Sequence, residues 1–268
     1  MIEVVSPGLL TTVQDRGRPG LAHLGVPPSG AVDPVAYELG NRLVGNEAGA
    51  AALEATLIGP RLRFAQRTLV ALTGSVAEVR VVEVEGEGEL DVGRLVGGAR
   101  AYLCVRGGID VDPVLGSGST DLLTGLGPLP LAAGDVLRIG SAVAGEPVDE
   151  RPSGVGAGAF RVVLGPRDDW FTPSAAEQLT ETGWRVSPAS NRVGLRLEGP
   201  PLERARTDEL LSEGLVTGAL QVPPNGRPIL LLNDHPTTGG YPVIAVVATP
   251  DLPRAGQLKP GDEVRFVV

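Results

Sequence analysis

Short apolar runs that end at glycine or proline dominate this sequence, and this punctuation constrains the fold more than any other feature. Gly (38) and Pro (24) together supply 62 of the 268 residues, and both residues disfavour the interior of a long helix. Runs of this length that are rich in Val, Ile and Leu are typical of strands. The predicted strands cover residues 2–5, 68–72, 79–84, 101–105, 136–139, 161–164, 229–232, 243–247 and 264–268.

Few segments have the pattern of a helix. Asp33 is a good N-cap, Pro34 suits the first helical position, and Gly45 ends this predicted helix. A second helix is predicted after Thr172-Pro173 and ends near residue 183, and a shorter one covers 207–214. In the first of these helices, apolar residues recur every four positions, at Val35, Leu39 and Leu43, and form one face. The sequence therefore predicts a mainly β protein with a few short helices.

Two echoes along the chain predict an internal duplication. A Gly-Asp turn feeds a strand in GDVLRI at 134–139 and again in GDEVRF at 261–266, and the string NRLVG at 41–45 has a counterpart, NRVG, at 191–194. The segment between these halves consists of Gly, Ala, Pro, Ser and charged residues without periodicity, which is typical of a linker. We therefore expect one β domain over 1–140, a Gly/Pro-rich linker over 141–159, and a second β domain over 160–268.

The charged residues exclude several kinds of chemistry. Acidic side chains outnumber basic ones by 32 to 23 without any basic run, which argues against nucleic acid as a partner. Lys259 is the only lysine, so a P-loop is impossible and no biotin-acceptor setting is present. No apolar run approaches the roughly 18 residues of a membrane span, and the N-terminus lacks a signal-peptide pattern, so we expect a cytoplasmic protein without membrane contact. Cys104 lies in an apolar run and is expected to be a buried, inert thiol.

The first cluster of candidate site residues lies between positions 11 and 33. It offers an amide, a carboxylate and a guanidinium within a few residues, a set that suits a small polar or carboxylated substrate. A solvated turn explains the first part of this segment equally well, and Asp33 already has a role as a helix cap. The candidates here are Gln14, Asp15, Arg18, Ser29 and Asp33.

Two further clusters lie near the C-terminus. The string TTGG at 237–240 could form a backbone nest for phosphate or carboxylate, although a tight turn between strands also explains it. In the string SNRVGLRLE at 190–198, Arg196 and Glu198 alternate on a strand, and a buried Arg–Glu pair is the structural alternative. Two histidines without ligand spacing predict no metal site. The run Gly116–Ser119 lacks the GxSxG spacing of a nucleophile elbow.

Motifs along the whole chain resemble those of the KipA family, which includes 5-oxoprolinase C-type subunits, allophanate hydrolase subunit 2 and biotin-dependent carboxyltransferase proteins. The strings that carry this resemblance are TTVQDRGRPG (11–20), GVPPSGAVD (25–33), GNRLVGN (40–46), AYLCVRGGIDVDPVLGS (101–117), SNRVGLRLEG (190–199), SEGLVTGALQVPPNGRPILLLND (212–234) and TTGGYPVI (237–244).

The resemblance implies two cyclophilin-like β-barrel domains. It also implies a role in an ATP-dependent 5-oxoprolinase complex that opens 5-oxoproline to L-glutamate, together with a KipI-like B-type subunit and a LamB/YcsF-like A-type subunit. ATP would be a co-substrate of the complex, with neither biotin nor metal on this chain. Asp15 and Asp234 are the expected proton-transfer groups. The expected substrate-binding residues are Gln14, Arg18, Ser29, Asp33, Asn191, Arg192, Arg196, Gln221, Thr237, Thr238, Gly239, Gly240 and Tyr241.

Two alternative functions stay open, and the sequence departs from the family pattern at two places. The chain could act as a carboxyltransferase-type subunit on urea or an amide-like substrate with a separate biotin carrier, or as a non-catalytic regulator that binds a KipI-like kinase inhibitor. Gly118 stands where relatives carry arginine in Gly-Ser-Arg-Ser-Thr, and His235-Pro236 replaces a more usual Arg-Gln. The first departure removes an expected anion contact.

Overall fold

The computed structural model describes residues 1–150, 158–206 and 208–268. The chain divides into two compact units. Unit 1 comprises Met1–Arg18 and Ser29–Gly154, and unit 2 comprises Pro19–Pro28 and Val155–Val268. Both are built mainly from β-strands with a few short helices, which confirms the predicted fold class.

Within residues 1–18 and 29–150, unit 1 contains two antiparallel sheets and one helix. The sheets have the strand orders β7-β4-β1-β10-β9 and β2-β3-β8-β5-β6. The helix is α1 (Pro34–Leu43). The strands are β1 (Ile2–Ser6), β2 (Leu10–Gln14), β3 (Ala52–Thr56), β4 (Arg61–Phe64), β5 (Thr68–Gly74), β6 (Arg80–Val84), β7 (Glu89–Asp91), β8 (Arg100–Val105), β9 (Ile109–Asp110) and β10 (Val136–Ile139).

Strand β8 explains how the second sheet of unit 1 is buried on both faces. Side chains alternate across a sheet, so Leu103 and Val105 enter a core cluster that also contains Ile2 and Phe64 of the first sheet. Tyr102 and Cys104 point the other way, into a cluster beneath α1. A strand covered on both faces has a continuous apolar run instead of a polar–apolar alternation, and that is the pattern seen at 101–105.

Helix α1 begins and packs as its sequence predicts. The Asp33 carboxylate accepts a hydrogen bond from the Ala36 N–H at 3.1 Å, which confirms the N-cap. Leu39 and Leu43 are buried against the sheet, whereas Val35 is 52% exposed and lies outside the predicted apolar face. The Cys104 thiol is buried beneath the helix, and this burial raises its pKa.

Unit 2 is organised around one long sheet with the order β19-β12-β13-β16-β15-β18-β11-β20, beside a small β14-β17 pair. Its helices are α2 (Pro173–Glu181) and α3 (Leu252–Gly256), and short 3-10 turns occur at Ala22–Leu24, Asp168–Trp170 and Thr249–Asp251. The strands are β11 (Phe160–Leu164), β12 (Trp184–Val186), β13 (Gly194–Glu198), β14 (Glu213–Gly214), β15 (Ala219–Gln221), β16 (Ile229–Leu231), β17 (Thr238–Gly239), β18 (Val243–Val247), β19 (Glu263–Val264) and β20 (Phe266–Val267).

The register of the long sheet determines which side chains share a face in unit 2. Arg196 of β13 pairs with Ile229 of β16, which pairs with Gln221 of β15, and Gln221 pairs with Val243 of β18. Residues directly opposite each other point to the same face. This row therefore places two of the predicted site residues, Arg196 and Gln221, on one face of the sheet.

Three local predictions differ from the structure. The helix predicted for 207–214 is wrong over the described part: 208–212 have no regular structure and Glu213–Gly214 is strand β14. Pairing of β14 with β17 and an Arg167–Glu213 ion pair oppose the helix there. Residues 11–14, expected in a turn, lie in β2. Arg196 and Glu198 are exposed, so they are not a buried pair.

The structure describes part of the predicted linker. Residues 151–157 of the segment 141–159 lie outside the described residues. Residues 142–150 are bound to the rest of unit 1, since the Ala142 N–H donates to the Gly107 carbonyl at 2.9 Å and Glu150 forms an ion pair with Arg42 at 2.9 Å. These contacts use a backbone N–H group and one carboxylate. A solvated spacer of the same composition would contain the same groups, so composition alone does not predict the contacts.

Removal of the cap should weaken unit 1. We expect Asp33→Ala to lower the free energy of unfolding by about 1 kcal/mol or more, because the first turn of α1 loses an acceptor for its N–H groups. Urea denaturation followed by circular dichroism measures the change. Val35→Ala on the same helix is the control and should have little effect, since that side chain is exposed. Equal stability of Asp33→Ala and the wild type would contradict the capping role.

Candidate functional site

The Asp15 carboxylate organises the candidate site in unit 1. One oxygen, Oδ1, accepts hydrogen bonds from the Gly17 N–H at 2.7 Å, the Ser117 hydroxyl at 2.6 Å and the Ser119 hydroxyl at 2.5 Å. The other, Oδ2, accepts from the Gly118 N–H at 2.6 Å. Hydrogen bonds to an ionised acceptor are the strong ones. Asp15 therefore ties the end of β2 to a loop about a hundred residues further along the chain.

Gln14 and Arg18 clamp the backbone of that same loop. The Gln14 amide donates to the Thr120 carbonyl at 3.0 Å. The Arg18 guanidinium donates to the carbonyls of Val114, Ser117 and Ser119 at 3.2, 3.3 and 2.7 Å. Both side chains are buried, with Arg18 only 2% exposed. The predicted residues Gln14, Asp15 and Arg18 are thus brought together by the loop 114–120.

Three buried polar atoms around this loop have no hydrogen-bond partner in the part of the chain that the structure describes: Gln14 Oε1, Arg18 Nη1 and Thr120 Oγ1. Arg18 also has no carboxylate partner among the described residues, since its bonds go to backbone carbonyls. Buried polar groups are normally satisfied, and a buried charge without a counterion is costly. An anionic or carbonyl-containing ligand beside the loop 114–120 would supply an acceptor for Arg18 Nη1 and Thr120 Oγ1, and an N–H or O–H group of the same ligand would supply the donor that Gln14 Oε1 lacks.

The other two predicted residues of unit 1 are positioned differently. Ser29 is buried in a tight turn with φ 50°, and the nearby Ala31 N–H donates to the Asp15 carbonyl at 3.0 Å, so this turn packs against the Asp15 segment. Asp33 caps α1, and its own N–H donates to the Tyr102 hydroxyl at 2.8 Å. Ser29 therefore lies next to the cluster, whereas the Asp33 side chain serves the helix.

Gly118 has a role that an arginine could fill only with a local shift. A Cβ at this position would come within 2.5 Å of Val111 Cγ2, the end of a side chain. The Gly118 N–H, which any residue except proline would retain, is the group that binds Asp15. The departure from the family pattern thus keeps the backbone donor and leaves the position without a side-chain cation.

In unit 2, a buried ion pair links two of the predicted residues. The Arg192 guanidinium contacts the Asp234 carboxylate through Nε–Oδ2 at 2.9 Å and Nη2–Oδ1 at 3.0 Å, and both side chains are at most 1% exposed. The Asp234 N–H also donates to the Arg192 carbonyl at 3.1 Å. Asn191 is exposed, and its side-chain oxygen accepts from the Val193 N–H at 2.9 Å. The Arg192–Asp234 pair joins the chain before β13 to the chain after β16.

A second group in unit 2 forms around Gln221 on the shared face of the sheet. Its amide donates to the Tyr241 carbonyl at 3.2 Å. A Cβ at Gly239 would lie 2.8 Å from the Gln221 amide nitrogen, so glycine is the residue that allows this approach without a shift. The Thr237 carbonyl accepts from the Leu215 N–H at 2.9 Å, and Thr238 and Gly239 form β17. The Thr-Thr-Gly-Gly segment is thus held by strand pairing, with Gly240 and the Tyr241 side chain exposed.

His235 is buried beside the Arg192–Asp234 pair. It is 3% exposed, and its Nδ1 lies 2.7 Å from the Pro236 carbonyl oxygen, so this nitrogen carries the hydrogen. Burial lowers the pKa of His235, and the Pro236 carbonyl and the Asp234 charge oppose this effect only in part. The imidazole is therefore neutral near pH 7.

Within the described ranges 1–150, 158–206 and 208–268, no group of three or more His, Cys, Asp or Glu side chains could hold a metal ion. The same part of the chain contains no helix that is long and apolar enough to cross a membrane.

The sequence and the fold match those of a known family. Residues 24–268 match the carboxyltransferase domain, subdomains A and B. The chain belongs to this family, and the resemblance predicted from its motifs is confirmed.

Named relatives fall into two groups. The chain is 39% identical to the C subunit of 5-oxoprolinase from Escherichia coli K12, over 100% of this chain and 91% of that protein. It is 35% identical to urea amidolyase of Saccharomyces cerevisiae, over 99% of this chain but 16% of the yeast protein. The crystal structure of K. lactis urea amidolyase superposes with a TM-score of 0.89 at 35% identity, over 99% of this chain and 18% of that one. The matching region is thus nearly the whole of a separate enzyme subunit in E. coli, and it is a small part of the much larger urea amidolyases.

Three residues of the unit 1 cluster were not predicted from the sequence: Ser117, Ser119 and Thr120. The three residues lie in the Gly/Ser-rich run at 116–120. From the sequence, the spacing of this run showed only that it is not a nucleophile elbow. What the two serines do instead is donate to Asp15. Only the tertiary pairing of the loop with the end of β2 makes that role visible.

Asp15→Asn should loosen the loop 114–120. The amide oxygen can replace one carboxylate oxygen, but the NH₂ group would face a donor, which leaves hydrogen bonds to a charged group unmade. We expect a loss of about 1–3 kcal/mol in the free energy of unfolding and faster amide exchange at Gly17 and Gly118. Hydrogen exchange followed by mass spectrometry is the measurement. Asp112→Asn, which changes an exposed acid shortly before the same loop, is the control. Unchanged protection at Gly118 would refute this role for Asp15.

Protonation of His235 should destabilise unit 2. The folded pKa lies below the unfolded value of about 6.5, so the unfolded state takes up the proton first as the pH falls. The stabilising effect of the neutral ring is complete above about pH 6.5 and is lost as the pH falls from there towards the folded pKa. We expect the drop in Tm between about pH 7.5 and 5.5 to be smaller in His235→Gln than in the wild type. The exposed His23→Gln should retain the wild-type drop, and an equal drop in His235→Gln would rule the idea out.

Proposed function

We propose that this chain is a subunit of an ATP-dependent 5-oxoprolinase, a C–N hydrolase that opens the lactam of 5-oxoproline to L-glutamate. The observation that carries the proposal is the extent of the similarity: the match to the C subunit of the E. coli 5-oxoprolinase spans nearly the whole of both chains. In the urea amidolyases the same domain is a minor part of a longer enzyme. The similarity over both full lengths therefore favours the separate subunit.

The chemistry explains why ATP and donors for an anion are needed together. A five-membered lactam resists hydrolysis, and transfer of the γ-phosphoryl group of ATP to its carbonyl oxygen makes the carbonyl carbon electrophilic. Water then adds to the carbon, the C–N bond breaks with protonation of the nitrogen, and a second water releases the phosphate. Groups that stabilise the developing negative charge accelerate such a sequence.

The unit 1 cluster supplies groups of the right kind for this chemistry. Arg18 would contribute its buried Nη1 donor to the substrate carboxylate or to the phosphoryl oxygens, and Thr120 would contribute a hydroxyl donor. The Gln14 amide oxygen would accept a hydrogen bond from the lactam N–H. Both oxygens of Asp15 are engaged by protein donors, so its part is to hold the loop in place. Asp15 therefore acts as a positioning residue, and the water is activated by another group in the complex.

The proposal includes partners and cofactors. The chain would act with a KipI-like B-type subunit and a LamB/YcsF-like A-type subunit, with ATP as co-substrate of the complex and no metal held by this chain. Biotin would not be attached here: the sole lysine, Lys259, forms an ion pair with Asp262 at 2.9 Å, and its backbone N–H donates to the same carboxylate.

A carboxyltransferase-type subunit is the second candidate. The family description and the urea amidolyase relatives favour it. In that case the chain would transfer a carboxyl group from a separate biotin carrier to urea or an amide-like substrate, and the same buried donors would polarise the acceptor.

The decisive experiment measures glutamate release from 5-oxoproline and ATP by the purified complex of this chain with its two partner subunits. We expect release to depend on all three chains and to fall at least about tenfold in Thr120→Val. That change removes a buried hydroxyl without a partner and keeps the shape, so stability should be nearly unaffected. Thr217→Val, at a threonine of unit 2 outside both candidate sites, is the matched control.

The outcomes separate the candidates. Full activity without this chain would exclude a 5-oxoprolinase subunit. An assembled complex that is inactive with 5-oxoproline but consumes carboxybiotin in the presence of urea would establish the carboxyltransferase. Assembly with the KipI-like partner and no turnover of either substrate would favour the regulator. Wild-type activity in Thr120→Val would mean that the substrate does not bind at the loop 114–120.

A further inference from the structure

Unit 2 contains a pocket of about 360 Å³ that the proposed chemistry does not use. It opens on the face of the long sheet that carries Arg196, beside the turn that leads into β16. Its volume lies within the range of small-molecule sites. The polar and charged residues that line it are Ser187, Arg196, Glu198, Asn225, Arg227 and Tyr241.

The arginines of this pocket have no acidic partner. Among residues 158–206 and 208–268, neither Arg196 nor Arg227 forms an ion pair with any carboxylate, and both are exposed. Other arginines of the unit, such as Arg161 and Arg167, do contact an acid. Two guanidinium groups that face one cavity without a counterion form a site for an anion.

A third arginine adds positive charge next to the pocket. The Arg204 guanidinium donates to the Val222 carbonyl, and its Nε is buried without a hydrogen-bond partner among the described residues. Burial lowers the pKa of Arg204, and the Tyr241 side chain opposes this effect. Val222, which accepts the hydrogen bond of Arg204, directly precedes Pro223 in the lining of the pocket. Arg204 also has no carboxylate partner within the described part of unit 2.

Glu198 gives the pocket a second kind of recognition. It lies on the same face of β13 as Arg196, since residues two apart on a strand point the same way. Among the described residues it pairs with neither arginine of the pocket nor any other cation. In the sheet register Glu198 lies opposite Arg185 of β12, but the two side chains form no ion pair in the described part of unit 2. The carboxylate of Glu198 therefore offers a place for an ammonium group, and Ser187 and Asn225 add neutral hydrogen-bonding groups.

We propose that this pocket binds an α-amino dicarboxylate, with its carboxylates at Arg196 and Arg227 and its ammonium group at Glu198. The class of ligand follows from the three charged side chains. The naming of L-glutamate as the occupant rests on the proposed function, in which it is the product. With a separate product site, L-glutamate that accumulates could bind this subunit and influence its own formation.

Binding to the full chain tests the proposal without any turnover. Isothermal titration calorimetry would use L-glutamate, glutarate and inorganic phosphate as probes. We expect L-glutamate to bind more tightly than glutarate, and phosphate to bind most weakly. Arg227→Gln and Arg196→Gln should each weaken L-glutamate binding at least about tenfold. Glu198→Gln should weaken L-glutamate binding and leave glutarate binding unchanged or stronger.

Arg265→Gln is the control for these variants. Arg265→Gln removes an exposed arginine that is paired with Glu263 outside the pocket, and it should bind like the wild type. The altered pocket residues are exposed, so the variants should fold, and equal Tm values verify this. Absence of L-glutamate binding at millimolar concentration, or equal binding by all variants, would overturn the site. Phosphate binding as tight as that of L-glutamate would overturn the ligand class. If glutamate binds but the complex lacks oxoprolinase activity, the proposed function alone fails.

Discussion

The arrangement of unit 1 around its candidate site depends on one carboxylate. Asp15 accepts from two backbone N–H groups and two serine hydroxyls at 2.5–2.7 Å, and in doing so it connects the end of β2 to residues 117–119. Once that loop is in place, its carbonyls are the acceptors for Gln14 and Arg18. The position of the buried guanidinium is therefore a consequence of the Asp15 contacts.

Unit 2 uses a carboxylate in a similar way but with a different partner. Asp234 is fully buried and meets Arg192 through two parallel N–H···O bonds, a geometry that fixes orientation as well as distance. The pair joins two chain segments at one end of the sheet. The residues expected to transfer protons, Asp15 and Asp234, are thus both engaged by protein donors. We accordingly propose a positioning role for Asp15, whereas proton transfer by Asp234 stays a prediction.

Some of the candidate site could be predicted from the sequence because its signals are local. The Asp33-Pro34 start of α1 and the strand at 101–105 are specified by neighbouring residues, and the structure contains both. Strand β2 could not be predicted in this way because Thr11, Thr12 and Gln14 are polar yet buried. Their polar groups are largely satisfied by contacts with Pro7, with one another and with Thr120. A pattern based on hydrophobicity cannot detect a strand whose buried side chains are hydrogen-bonded.

By itself the sequence determined the mainly β class, the start of α1, the buried thiol and the family, because apolar periodicity, capping residues and motif strings are properties of adjacent positions. Only the tertiary structure decided that Ser117 and Ser119 serve Asp15, that Arg18 is a buried cation bonded to carbonyls, and that Arg196 shares a pocket with Arg227. These facts depend on strand register and loop closure between residues roughly 30 to 100 positions apart. Contacts over such separations are set by the packing of the whole unit, which no local pattern encodes.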